Sequence, residues 1–454
     1  MGQLLGIVAP VFWGALLLSR LVFVHEGGHY LAARACGVRV SEFFLGLPCR
    51  FNLHRVSRRS GTKFGVTPLL LGGYAMICGM EPLDDERAAD VLYEVHRSGS
   101  VTVGELSERL EVDPERALDL CIALMGWGSV AGYYDPKLGE RDDGKRYPST
   151  FRSVPRDAEG FTLLDGRRFD AAGATSEGDP WEPPFGAGEF LDHERARTYT
   201  GKGFWARAAM LVAGIAVNIV AGFLLMVVAY SVIGYDAAVD VNVLGGVEAG
   251  SVAEAAGLCE GDAVLSVDGV DTPTWTALSA QVQAVQGAGE VEILYDRDGE
   301  VRTTAVELPE GSLLGISATV ETIRLSPLDA ARMAGLFVIE TARGVAQLLV
   351  PTQTMQVLDS STSVVGISVM SAQAAAAGPA VFLSFASLIS FSLGFMNLLP
   401  IPPLDGGKLL IEVVQAVVRR RVPQGVVNAL SLIGVALFLA LFVYMLRADV
   451  LRFF

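Results

Sequence analysis

A chain of 454 residues that is 51% hydrophobic and only 19% charged exceeds one ordinary domain and is more apolar than an average soluble protein. Its formal net charge of -15 argues against a nucleic-acid surface across the whole molecule. The cysteines, Cys36, Cys49, Cys78, Cys121 and Cys259, make no CxxC and no paired spacing, so they indicate neither a disulfide framework nor a cysteine zinc site.

The first apolar run, Leu4 to Val24, carries one Arg and approaches the roughly 20 residues a helix needs to cross a bilayer. It lacks the basic n-region and small-residue cleavage site of a secretory signal, so a retained transmembrane helix is expected within residues 1–40. The run continues into Val24-His25-Glu26-Gly27-Gly28-His29. Two imidazoles one helical turn apart can reach one metal ion, with Glu26 beside the open coordination position. Ionisable residues at such depth are costly in lipid and are read as functional by default. A catalytic zinc usually takes three protein ligands plus water, so a third ligand has to come from elsewhere in the chain.

Residues 41–80 read as short strands broken by Gly, Pro and basic turns, with FFLGL, KFGV and LLLGGYAMI as the apolar pieces. They predict a membrane-associated β-hairpin, which is tolerated at that depth only where protein or a water-filled cavity satisfies its backbone. From residue 84 to 200 the chain turns polar. ERAADVLYEVHRSG, TVGELSERL and DPERALDLCIALMGWG predict three helices, with Thr102 and Asp113 as N-caps. A charged turn, KLGERDDGKRY, predicts a hairpin after them, which together make a winged-helix-like insertion. Val91, Leu92, Val95, Leu106, Leu110, Leu118 and Ile122 recur at helical spacing and predict a small core of its own. Its helices present Glu105, Glu108, Glu111, Asp113, Glu115 and Asp119 where a DNA reader needs Lys and Arg, so no nucleic acid is expected. Residues 158–189, dense in Gly, Asp and Pro, read as irregular linker.

A second transmembrane helix is expected at 207–235. Residues 239–310 alternate strand-like runs (VNVLGGV, AVLSV, EVEILYD, RTTAVEL) with one helical piece, WTALSAQVQAV, and predict a compact α+β domain. Residues 326–350 read as an interfacial amphipathic helix, since Arg332, Glu340 and Arg343 interrupt the apolar pattern. Third and fourth transmembrane helices are expected at 379–407 and 426–447. Basic residues flank these runs on one side: Arg34, Arg39, Arg50, Arg55, Arg58, Arg59 and Lys63, then Lys202 and Arg207, then Arg419, Arg420 and Arg421. By the positive-inside rule these loops and the insertion are cytoplasmic, and residues 239–310 lie outside.

The third run ends in Asn397-Leu398-Leu399-Pro400-Ile401-Pro402-Pro403-Leu404-Asp405-Gly406-Gly407. Asp405 is the only carboxylate between Asp359 and Glu412, and it follows a proline-stiffened break at the depth of His25 and His29. It is therefore the candidate third ligand, with a helix cap as its other possible role.

HEGGH at the end of a first transmembrane helix, with NLLPIPPLDGG near the end of a later one, resembles the site-2 protease family of intramembrane zinc metalloproteases. The likeness extends to LGGYAM at 71–76, AGIAVN at 213–218 and GLCEGDAVLSVDGV at 257–270, the last similar to the core of a PDZ domain. It points to the bacterial PDZ-containing type. The resemblance implies Zn2+ held by His25, His29 and Asp405, Glu26 as the catalytic carboxylate, and Asn397 as a polar contact to the substrate backbone. The implied reaction is hydrolysis within or near the membrane segment of proteins such as anti-sigma factors or remnant signal peptides, each crossing the membrane once. The implied fold is a multi-pass α-helical protein of the inner or plasma membrane with about four transmembrane helices. It carries the membrane-associated hairpin, an extracytoplasmic PDZ-like α+β domain and the cytoplasmic insertion. The chain departs from the family pattern at Ile215, at Lys408 and at Val365 to Ile367, none of them a ligand. A catalytically silent membrane scaffold or peptide-binding receptor is the competing class, and an intact Glu26 favours the protease.

Overall fold

The structure, a computed structural model, describes residues 2–70, 72–141, 146–309 and 311–453. The chain divides into two units, one of Met1–Met226 with Met333–Phe454 and one of Val227–Arg332. The first begins with α1 (Gly2–Ala35), which is long enough to cross a bilayer and carries the HEGGH segment in its last three turns.

The expected hairpin is a four-stranded sheet. β1 (Val40–Leu45), β2 (Leu53–Val56), β3 (Lys63–Val66) and β4 (Gly73–Ile77) lie in the order β2-β3-β1-β4. β1 runs parallel to β3 and antiparallel to β4, which leaves β4 at one edge. The three apolar pieces of the sequence are β1, β3 and β4; β2 is LHRV, exposed throughout, and carries no apolar signal. Leu71, the first residue of LGGYAM, lies outside the described residues.

The insertion contains α2 (Ala88–Ser98), β5 (Ser100–Thr102), α3 (Val103–Leu110), α4 (Pro114–Gly126), β6 (Val130–Tyr133) and β7 (Thr150–Ser153), with the strands in the order β5-β7-β6. Thr102 closes a capping box with Glu105, and Asp113 accepts from the Glu115 and Arg116 amides, as the sequence predicts. The pairing of β6 with β7 is the expected hairpin, although residues 142–145 of its turn lie outside the described residues. Val91, Leu92, Val95 and Leu106 are buried with Leu124, Trp127 and Phe151 in one core. Residues 158–189 are irregular but are not a free linker. They hold a 3-10 turn at Leu163–Arg168, and α5 (Ala187–Arg195) completes the core with Phe190 and Leu191.

Arg39, just before β1, enters this insertion fully buried and bonds both Asp165, at 2.7 and 2.8 Å, and Glu194, at 2.6 and 3.1 Å. Burial alone would raise the Glu194 carboxyl, but the guanidinium groups of Arg156 and Arg39 outweigh it and hold it well below the usual carboxylate range. A buried charge is stable only when paired in this way, so the network ties the insertion to the sheet. His96, buried beside Arg156, is pushed down to about 3 by burial and then by that charge, and stays neutral.

α6 (Phe204–Val228) is the second candidate span, continued by a π turn to Ile233. The second unit follows with β8 (Tyr235–Ala238), β9 (Leu244–Val247), α7 (Val252–Ala255), β10 (Ala263–Val267), β11 (Val270–Asp271), α8 (Trp275–Ala284), β12 (Gly289–Arg297), β13 (Glu300–Leu308), β14 (Ile316–Ala318) and β15 (Val320–Ile323). Leu244, Val264, Leu278, Ile293 and Leu308 form its core. β14 pairs with β9 and β15 with β8, so this unit extends beyond the expected 239–310 at both ends.

The chain then returns to the first unit through α9 (Pro327–Gln347), which meets α10 (Pro351–Ser360) at 114°. The expected interfacial helix is thus the first arm of a broken pair. α11 (Val364–Ala376) packs along α1 and was not legible as a span, because its 13 residues are too few to cross a bilayer. α12 (Pro379–Asn397), α13 (Asp405–Val418) and α14 (Gln424–Phe453) follow. Among the described residues, α1, α6, α12 and α14 are the four helices long and apolar enough to span a membrane.

Candidate metal centre

His25 and His29 are four residues apart on α1 and so face the same way. Opposite them the chain leaves α12, turns sharply through residues 398–404 and starts α13 with Asp405. The turn is tight: a Cβ at Gly406 would sit 2.2 Å from the Leu398 carbonyl oxygen, and one at Gly407 2.2 Å from the Pro402 nitrogen. Glycines there bring Asp405 back against α1.

The three side chains meet in the protein interior. Asp405 Oδ2 lies 3.1 Å from His25 Nε2 and 3.0 Å from His29 Nε2, and the two Nε2 atoms are 3.2 Å apart. These are the only His, Cys, Asp or Glu residues among the described ones that converge in this way within 4.8 Å. Bonds of about 2.0 Å to a tetrahedral zinc imply ligand separations of roughly 3.3 Å, so the spacing suits one ion held by all three.

The outer nitrogens carry the second test. His29 Nδ1 donates to the Met210 carbonyl at 2.7 Å, which leaves the Nε2 lone pair facing inward. His25 Nδ1 faces the Asn218 amide at 3.2 Å, and the Asn218 Oδ1 is buried without a partner. Half a turn of that amide lets Oδ1 accept the Nδ1 proton and gives His25 the same metal-binding tautomer as His29. The residues therefore fit a zinc ion.

Glu26 is held by the sheet. Its Oε2 accepts from the Ala75 backbone amide on β4 at 3.1 Å, which sets the carboxylate between the two histidines in sequence and the sheet edge in space. Asn397 stands apart from this group in its bonding: half-buried at the end of α12, it donates Nδ2 to the Leu393 carbonyl of its own helix at 2.9 Å. Lys408, one turn after Asp405, brings its ammonium to 3.7 Å from the other carboxylate oxygen. Further along the same helix, Glu412 pairs with Arg207 of α6 at 3.0 Å and accepts from the Tyr199 hydroxyl at 3.2 Å, which pins α13 in place.

Two groups escaped the sequence reading. The Met210 carbonyl carries no side-chain signal at all. Asn218 does, since it is the one Asn in the charge-free run of α6, and polar groups within such a run are functional by default. The crossing of α6 over α1 was also hidden. A Cβ on Gly28 would lie 2.6 Å from the Ala213 carbonyl oxygen, and one on Gly214 2.4 Å from His29 Nε2.

The profile of Peptidase family M50 matches residues 13–441. A protein named zinc metalloprotease RasP from Geobacillus kaustophilus is 26% identical over 453 residues, covering 97% of both chains. Another of that name from Shouchella clausii is 29% identical, over 96% of this chain and 98% of its own. The regulator of sigma-W protease RasP from Bacillus subtilis is 24% identical over 97% of both.

Proposed function

Because the chain belongs to peptidase family M50 and is a zinc-dependent intramembrane endopeptidase, we propose that His25, His29 and Asp405 hold its zinc and that Glu26 is its catalytic carboxylate. The observation that carries this reading is the convergence of three buried donors at 3.0, 3.1 and 3.2 Å, with Glu26 next to them on the same helix. A zinc ion in such a site lowers the pKa of a bound water to about 7 and polarises a carbonyl. Glu26 takes the proton of the attacking water and passes it to the leaving amine. The Ala75 amide keeps the carboxylate aimed, since its hydrogen bond fixes one oxygen and leaves the other for the proton.

A helical substrate shields its own carbonyls and has to unwind before it is cut. β4 is the edge strand of its sheet, and an extended segment added to it would run past Glu26. Asn397 contacts the substrate backbone in this reading, exchanging its bond to Leu393 for one to the extended segment. The substrates are membrane proteins with one transmembrane segment. The name of the Bacillus subtilis relative supports a membrane-anchored regulator of a sigma factor as the class.

The unit that contains residues 239–310 is PDZ-like and extracytoplasmic in this reading, and it screens substrates. The insertion at 84–200 is a cytoplasmic winged-helix-like module that binds no nucleic acid. The basic residues flanking α1 and α6 support this sidedness. The test is quantitative proteomics of membrane fragments in cells carrying Glu26→Gln, which keeps the shape of the side chain and removes the base. Fragments with a single transmembrane segment should accumulate. A fragment population identical to that of the parent would remove the proposed role.

A further inference from the structure

Where α1 ends at Ala35 and α6 begins at Phe204, the first unit forms an open cavity of about 980 Å³, at the upper end of the roughly 300–1,000 Å³ of small-molecule sites. Its charge is one-sided. Arg34, Arg39, Arg59, Arg167, Arg168, Arg197 and Lys202 line it against a single carboxylate, Asp165. That carboxylate is already engaged by Arg39 at 2.7 Å and Arg197 at 3.2 Å. Among the described residues no carboxylate pairs with the other five cations. Arg34 spends one nitrogen on the Leu164 carbonyl at 2.5 Å and keeps the rest of its donors. Burial pushes the Lys202 ammonium below its ordinary range, and the Arg168 and Arg197 charges add to that against the opposing pull of Cys36.

Two exposed apolar side chains belong to the ends of the helices beside the cavity. Leu31, in the last turn of the α1 span, lines it and is 65% exposed. Trp205, at the start of the α6 span, is 81% exposed, as an indole at a membrane interface is. An exposed leucine at the end of a candidate span thus lies in the same cavity as the guanidinium groups, which matches an amphiphile with an anionic head.

The geometry points to a site for the phosphate headgroup of an anionic phospholipid, with its acyl chain along Leu31. Arginine forks suit the oxygens of a phosphodiester, and basic pockets beside membrane helices on the cytoplasmic side bind such headgroups. Two of the five free cations, Arg167 and Arg168, come from the 3-10 turn of the insertion, and the other three from α1, the β2–β3 turn and the approach to α6. The insertion therefore supplies two of those five cations as well as Asp165 and Arg197. This site is separate from the metal-binding side chains and does not depend on proteolysis.

The experiment uses the full-length protein, delipidated in detergent, and native mass spectrometry with three probes: dioleoyl phosphatidylglycerol, dioleoyl phosphatidylcholine and inorganic pyrophosphate. Phosphatidylglycerol should bind at least tenfold more tightly than phosphatidylcholine. The Arg59→Gln/Arg167→Gln/Arg168→Gln variant changes only exposed side chains and should lose at least tenfold of that binding while melting, without lipid, like the parent. If the triple variant melts early, Arg167→Glu alone serves, with the same expected loss. Pyrophosphate bound more tightly than the lipid, and lost in the variant, would keep the phosphate site but overturn the lipid as its source. Equal binding by parent and variant, or selectivity for neither charged probe, would overturn the site itself.

Discussion

Asp405 and Asn218 both reach the histidines, but they should fail differently. Asp405 supplies one of three inward donors, so Asp405→Ala leaves two imidazoles, too few for a tight catalytic site, and zinc should be largely absent from the purified protein. Asn218 touches only the outer nitrogen of His25. Asn218→Ala should keep zinc at stoichiometric loading but weaken its affinity about 10-fold to 100-fold, the usual loss of an orienting partner. Metal analysis combined with chelator competition separates the two. A Asp405→Ala protein with full, tightly held zinc would reduce that carboxylate to a first-turn helix residue and require another third ligand.

At the scale of elements, the two glycines inside HEGGH are not equivalent. The Gly27 position is open, with only the Phe43 ring edge 4.0 Å from an added Cβ, whereas a methyl on Gly28 would strike the α6 backbone at Ala213 and Gly214. Gly27→Ala should fold and bind zinc like the parent, with α1 gaining up to about 1 kcal/mol of helix propensity. Gly28→Ala should push α6 away from α1 and lose folded protein, read by size-exclusion recovery and thermal melting. If the two behave alike, the close crossing is not what fixes the helix pair. This asymmetry also shows what a sequence can and cannot display. The histidine spacing was legible because four residues make one helical turn, and Asp405 because its loop is marked by prolines and glycines. The contact of Asn218 with His25 spans 193 residues and leaves no periodic trace. β2 was invisible because none of its residues is buried, and α11 because a 13-residue helix makes no full-length span. The stretch 158–189 was misjudged as a linker because it is held by buried ion pairs such as Arg39 with Asp165, and hydrophobic patterning records only apolar burial.

For the whole molecule, the division into two units decides which parts can be removed. The unit of Val227–Arg332 has a core of its own, and the chain enters and leaves it through paired strands. β8 and β15 are antiparallel, with Ala238 opposite Val320 and Tyr235 opposite Ile323. Replacing residues 239–319 by Asn-Gly therefore closes a two-residue hairpin, the loop length and residue pair that such a ladder favours. No side chain of the metal centre lies in the removed segment, and the three donors come from α1 and α13. The excised protein should fold, hold zinc at parent stoichiometry and cut a model transmembrane substrate with a short extracytoplasmic tail at a rate within a few-fold of the parent. If the removed unit screens substrates, an uncut substrate with a bulky extracytoplasmic domain should now be cut at least as readily as the short one, whereas the parent should discriminate against it. The comparison of both substrates in reconstituted bilayers measures this directly. A well-folded, zinc-loaded excision variant that cuts neither substrate would mean that the unit takes part in the reaction and is no gate.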